Sequence, residues 1–249
     1  MQDYWEAYMK PMEGHPAMVS FNAGVSADVP DRAFGYVGFV KVPLKIPGAE
    51  GLIAPKEEDD ISFIEDRLEM ESLRYRAGKY IGRIITQGEV NFIYCLKLDF
   101  EWGDTVNAAM RNFETYTFTF GSRVDTEWEV YQKLLFPTPK EWQIIQNHHA
   151  CDRLKEAGDN LFLTRAIEHK TYFDLSENRE LFKKQIEAEG FHIQKEIEPS
   201  DDIALCGLIF YRRDRPYYYD IDALTLSLID LTEALGGQYD GWETSLVKS

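Results

Sequence analysis

Cysteine is scarce in this 249-residue chain: Cys95, Cys151 and Cys206 stand far apart and are odd in number. They cannot form a disulfide framework, so the fold must rest on packing, and the compartment expected is a reducing one. Long apolar runs are missing as well. No stretch approaches the roughly 18 uninterrupted apolar residues of a membrane helix, which excludes a spanning segment. The opening Met1-Gln2-Asp3-Tyr4-Trp5-Glu6 has neither a basic cluster nor an apolar run, so no export signal is expected and the reading is cytoplasmic. Positive charge is the third shortage. Against 43 acidic residues stand 27 basic ones, a formal net charge of −16. Such a field repels phosphate backbones and anionic lipid, so neither direct nucleic-acid binding nor membrane binding is expected. The deficit is no tail. Up to Phe136 there are 14 basic and 22 acidic residues, and after it 13 and 21, so each half carries −8.

Catalytic signatures are also lacking. There is no Gly-x-Ser-x-Gly elbow, no phosphate-cradling glycine loop and no zinc-protease helix motif. His148, His149 and Cys151 sit together, but on a helix only His148 and Cys151 share a face, and two ligands make no tetrahedral zinc site. A packed or surface role is the expectation for all three. No catalytic residue, metal or cofactor is therefore expected, and the chain reads as a non-enzyme.

What the chain does have is apolar and aromatic content, 44% and 14%, enough to fill real cores. Short strands are predicted over Ala17 to Phe21 and Phe34 to Leu44, then a helix over Glu57 to Arg74 with Ile61, Ile64 and Leu68 inward. Strands over Tyr80 to Thr86 and Asn91 to Leu98 follow, joined by a tight turn at Gln87-Gly88-Glu89. A short helix is expected near Asp104 to Asn112, and strands over Thr115 to Phe120 and Trp128 to Leu134. Phe136-Pro137-Thr138-Pro139 reads as the boundary between a domain of residues 1–136 and one of residues 137–249, with Thr138 as cap of a new helix.

The second half alternates more clearly. A strand is predicted over Arg165 to Leu175 with Ile167, Thr171, Phe173 and Leu175 on one face. Ser176 then caps a helix over Glu177 to Glu189, with Leu181, Phe182 and Ile186 inward. Strands follow at Phe191 to Ile197 and Ile203 to Tyr211, the latter apolar on both faces. After Asp220 comes a helix carrying a stripe of Leu224, Leu228, Leu231 and Leu235, stopped by Gly236-Gly237, and a last strand at Tyr239 to Trp242. That order, βαββαβ, is the ferredoxin-like pattern. From Phe34 the first half gives a similar order, so the fold class expected is α+β in two domains. The C-terminal one is ferredoxin-like, and the N-terminal one is a related α/β sandwich with extra strands. Apolar residues on both faces of each third strand imply cover for the helix-free faces, whether from packing against another domain or copy or from a ligand or peptide in a groove.

Two local runs stand out. Arg212-Arg213-Asp214-Arg215 before Tyr217-Tyr218-Tyr219 has the composition of an RNA-stacking loop, though a loop that pairs its own arginines and packs its tyrosines is the expected form. Leu235-Gly236-Gly237-Gln238-Tyr239-Asp240-Gly241-Trp242-Glu243-Thr244 joins a helix stop to an acidic, aromatic strand.

That ending resembles the closing signature of the regulator of ribonuclease E activity B family. Leu154 to Asp159, His169-Lys170-Thr171-Tyr172-Phe173 and the Gly190-Phe191 step resemble it too, so that the likeness spans about residues 140 to 247. Residues 1 to 136 resemble a bacterial domain family of unknown function at Trp5, Tyr8, Gly51-Leu52, Ile64-Glu65-Asp66, Gly82-Arg83 and Thr86-Gln87-Gly88. The first resemblance implies a small acidic protein that binds an RNase E-type ribonuclease and restrains messenger-RNA decay without catalysing anything. We expect partner binding at Tyr239, Asp240, Trp242 and Glu243, and the doubly apolar central strands leave room for a homodimer. The competing reading is a ligand-binding or enzymatic module with a groove between the two sheets.

Overall fold

The computed structural model describes residues 3–199 and 204–248, so Met1, Gln2 and Ile203 fall outside the description. The chain divides into two compact units, Met1–Thr138 and Pro139–Ser249.

In the first unit, β1 (Trp5–Met12) and β2 (His15–Asn22) form a hairpin, followed by β3 (Tyr36–Pro43), α1 (Glu58–Tyr75), β4 (Gly78–Thr86), β5 (Glu89–Leu96), α2 (Trp102–Met110) and β6 (Thr119–Val124). Both hairpins, β1–β2 and β4–β5, turn on two residues at positive φ: Glu13 and Gly14, then Gln87 and Gly88. Two such residues give the turn whose twist matches paired strands. The six strands lie in the order β1-β2-β4-β5-β3-β6, all antiparallel. From β3 onward this is the βαββαβ arrangement, with the first and third strands of the set central and the β1–β2 hairpin added at one edge. Glu58, Asp59 and Asp60 occupy the first turn of α1, where carboxylates meet the positive end of its dipole. Ile61, Ile64 and Leu68 pack with Val40, Val42, Phe92, Tyr94 and Trp102 into one core. Glu57, buried, accepts the backbone N–H groups of Lys45 and Ile46, each at 2.8 Å, and the Tyr116 hydroxyl at 3.0 Å. These bonds clamp the loop after β3.

The other face of this sheet carries buried Val19, Phe21, Ile84 and Ile93 and is covered by the unit's own chain. The segment Trp128 to Leu134, expected as a strand, is instead a helical turn over Tyr131–Leu135. Trp128 adopts φ 54, outside the extended region of regular strand backbone, and the Asp125 carboxylate accepts the Glu129 and Val130 N–H groups, fastening the turn. Tyr131 donates its hydroxyl to the Asn22 carbonyl and Tyr8 donates to that of Leu135, at 2.9 and 3.1 Å. Leu135 sits so close over Gly82 that a Cβ there would meet it at 2.9 Å. The strand expected at Thr115 to Phe120 begins later, at Thr119, because Tyr116 and Phe118 pack against the core ahead of it.

The second unit runs α3 (Pro139–Glu156), β7 (Arg165–Phe173), α4 (Ser176–Ala188), β8 (His192–Ile197), β9 (Cys206–Asp214), α5 (Tyr218–Ala234) and β10 (Gly237–Thr244). Its four antiparallel strands lie in the order β10-β7-β9-β8, the ferredoxin-like arrangement, with β7 and β9 central. Phe173, Phe182, Ile186, Cys206, Leu208, Phe210 and Leu228 form one core cluster under α4 and α5, with Leu224, Leu231 and Leu235 packed at its margin. A second cluster of Cys151, Ile167 and Ile221 seats α3 beside α5. Three details differ from expectation. Leu175 is exposed and takes the N-cap position of α4 without a side-chain cap, so Ser176 is the first helical residue. Leu181 is exposed, whereas Arg179 is buried in its place, because its guanidinium reaches the Ile197 carbonyl and Glu198. The strand expected at Ile203 to Tyr211 is Cys206–Asp214 among the described residues.

Candidate partner-binding site

β10 follows α5 through Gly236, at φ 68, and Gly237. A Cβ on Gly237 would lie 2.4 Å from the Phe173 ring, so only glycine lets the strand start against β7. Between Tyr239 and Trp242 the ladder slips at Asp240-Gly241, with Gly241 at φ 99: a bulge on an edge strand.

The bulge puts Tyr239 and Trp242 on the helix side. The Tyr239 hydroxyl lies 2.8 Å from Nδ1 of His169, and burial pushes its pKa well up. Trp242 donates its indole N–H to Oδ1 of Asn147 at 2.7 Å. Asn147 is fully buried and also accepts from Gln143 at 2.9 Å and donates to Asp222 and Thr225 at 2.9 and 2.8 Å. One amide thus ties α3, α5 and β10 together with its hydrogen-bonding capacity filled. Asp240 and Glu243 are exposed. Asp240 pairs with Lys170 at 3.3 Å, and Glu243 stands directly across the ladder from Glu168. Of the four residues expected to bind a partner, two therefore present carboxylates to solvent, and two hold the strand to the body of the unit.

His169 is itself fully buried, stacked on Phe210, and its pKa is pushed down to about 3, chiefly by desolvation and next by Arg212. It is a neutral packed imidazole. His148 Nε2 lies 2.8 Å from Asp222, whose hydrogen bond raises the imidazole pKa. The buried Cys151 thiol donates to the Pro216 carbonyl, and burial raises its pKa to about 12. The structure does not bring these three side chains to one point, and among the described residues no group of three or more His, Cys, Asp and Glu converges on a metal position.

The Arg-Tyr segment pairs with itself and its surroundings. Arg212 meets Asp214 at 2.8 Å and lies over the Phe191 ring; Arg215 meets Asp220 at 2.9 Å. Tyr217 stacks on Phe162, and Tyr218 donates to Asp152 at 2.5 Å, leaving Tyr219 exposed.

On the helix-free face of this sheet, no element among the described residues of the unit covers Glu168, Lys170, Tyr172, Ile209 and Tyr211, all half-buried. Two adjoining clefts of ≈ 330 and ≈ 500 Å³ lie there, sharing Glu168 and Glu243 as lining. The polar-apolar alternation Ala166, Glu168, Lys170, Tyr172 against Ile167, His169, Thr171, Phe173 was the sequence signal for this face. Nothing comparable announced Asn147, three of whose four partners come from 75 to 95 residues away.

Among solved structures, one of an unknown protein from Galdieria sulphuraria is similar at 12% identity, covering 84% of this chain and 97% of that one with a TM-score of 0.23. A protein from Thermus thermophilus is similar at 12% identity over 98% of this chain and 27% of its own, with a TM-score of 0.25. Superpositions this loose bear on neither fold nor activity. No curated protein matches the chain. Family profiles do. Residues 144–244, almost all of the α3-to-β10 unit, match the profile described as regulator of ribonuclease activity B. Residues 3–136 match a family of unknown function, DUF695. With that second profile spanning more than half of its length, the chain belongs to the DUF695 family and carries a regulator of ribonuclease activity B domain behind it.

Proposed function

We propose that this protein is a non-catalytic cytoplasmic regulator that binds an RNase E-type ribonuclease and slows its cleavage of messenger RNA. The observation that carries this reading is the match of residues 144–244 to the regulator family. The chemistry agrees with it. A protein at −16 avoids the RNA substrate while attracting the basic segments of an RNA-processing enzyme. In this reading β10 makes the contact: Asp240 and Glu243 meet the partner, and Tyr239 and Trp242 hold the strand in place for them. The test is addition of the full chain to a purified RNase E-type enzyme cleaving a defined RNA. Slower cleavage and a complex on size exclusion are expected; unchanged cleavage at saturating protein, with no complex, refutes the proposal.

A further inference from the structure

The helix-free face of the β10-β7-β9-β8 sheet is built in rows of cross-strand partners. One row runs Glu243, Glu168, Tyr211, His192, and the next holds Lys170, Ile209 and Lys195. Lys170 is already engaged, by Asp240 at 3.3 Å and by the Tyr172 ring at 4.9 Å. Glu168 and Glu243 are not. They are direct partners across the β10–β7 ladder, and no cation among the described residues reaches either of them. Like charges directly opposite on a sheet face repel, so a cation placed between them is favoured. Both carboxylates line both clefts of this face, beside Ile209 in one and Tyr211 in the other. Lys195 on β8 stands across Ile209 from Lys170. The acidic part of the face is therefore its β10 side.

We infer that this face docks an extended protein segment which places an arginine or lysine between Glu168 and Glu243 and an apolar side chain on Ile209 and Tyr211. The inference rests on the ribonuclease-binding reading and adds to it the surface and the chemistry of the partner segment. Tyr172 and Tyr211, on the two central strands, are also where single-stranded RNA would stack on a sheet of this kind. A protein is favoured because the unpaired carboxylates stand in the same row as Tyr211, where phosphate would be repelled.

The test compares the full natural chain with its Glu168→Gln/Glu243→Gln double variant. Binding is measured to an immobilised RNase E-type enzyme and to a fluorescein-labelled oligouridine. The variant is expected to melt no lower than the natural chain, since the repulsion is removed. It should bind the ribonuclease about tenfold more weakly, with a shallower dependence on salt. Equal affinity of the two chains overturns the inference and leaves the ribonuclease reading standing. No binding by the natural chain overturns both. Oligouridine binding that the variant strengthens assigns the face to RNA instead.

Discussion

Acidification should loosen the second unit through one imidazole. His169 has no exposed surface, and its pKa of about 3 lies far below the 6.5 of a free side chain. Below about pH 6.5 the unfolded chain takes up a proton that the folded chain refuses until near pH 3, so unfolding gains protons and stability falls with pH across that window. The linkage amounts to about 2 kcal/mol at about pH 5 and about 3 kcal/mol at about pH 4, with a ceiling of about 5 kcal/mol once both states are protonated. His169→Asn provides the control: an amide at the Nδ1 position can still meet the Tyr239 hydroxyl but does not titrate. The variant loses packing at every pH, and its stability curve should lack the extra slope. Native-state hydrogen exchange at the amides of Thr171 and Phe173, corrected for intrinsic rates, reads this sheet without reference to the other unit. Carboxylates titrate in both proteins and cancel in the difference. Parallel curves for the two chains between about pH 7 and pH 5 would refute the reasoning, as would an imidazole resonance of His169 that titrates near pH 6.

Three further outcomes follow from the same contacts. Asn147→Leu strips partners from Gln143, Asp222, Thr225 and Trp242 at once, and leaving buried groups unpaired should cost about 3 kcal/mol or more, read as a lower melting temperature with a red-shifted Trp242 emission. Cys95 and Cys151 are buried thiols raised to about 12, so a thiol reagent at mildly alkaline pH should leave both unmodified until denaturant is added; rapid labelling of either would contradict their burial. His148 has the opposite sign to His169: Asp222 raises its pKa, so its stabilisation is full below the free value and fades as pH rises through the folded one. Being substantially exposed, the pair should contribute little, and a His148→Gln variant should differ from the natural chain by well under 1 kcal/mol at neutral pH.

Element types were legible wherever one periodicity dominated. The alternation of residues 165 to 173 and the spacing of Ile61, Ile64 and Leu68 each admit a single phase, and both βαββαβ orders follow from them. Where both phases carry apolar residues, the pattern fails. β1 buries Glu6 and Tyr8 while exposing Trp5 and Met9, so its inward face looks no more apolar than its outward one. In α4, Leu181 and Phe182 are neighbours, and only the tertiary ion pairs of Arg179 decide that Leu181 faces water. Trp128 to Leu134 alternates like a strand, yet Asp125 and the left-handed Trp128 turn it into a helical cap. Aromatic and acidic character at Tyr239 to Glu243 was visible in the chain. The division of labour within that run was not, since it depends on a bulge and on an asparagine from α3.

The two units share one strand order and treat the helix-free face of the sheet in opposite ways, and the difference lies in side-chain chemistry. In the first, Val19, Phe21, Ile84 and Ile93 occupy that face; left wet, each would forfeit roughly 1.5–3 kcal/mol of burial. A chain segment must close it, and the turn at Tyr131–Leu135 does so. In the second, that face holds Glu168, Lys170, Tyr172, Ile209 and Tyr211, two charged residues among three aromatic or aliphatic ones, which water and a protein partner can both satisfy. The first face is core by composition, and the second is composed like an interface. Exchanging Glu168 for Val should therefore stabilise a strand but make the face prone to self-association, detectable as concentration-dependent sedimentation. A variant whose sedimentation depends on concentration no more than that of the natural chain would refute this.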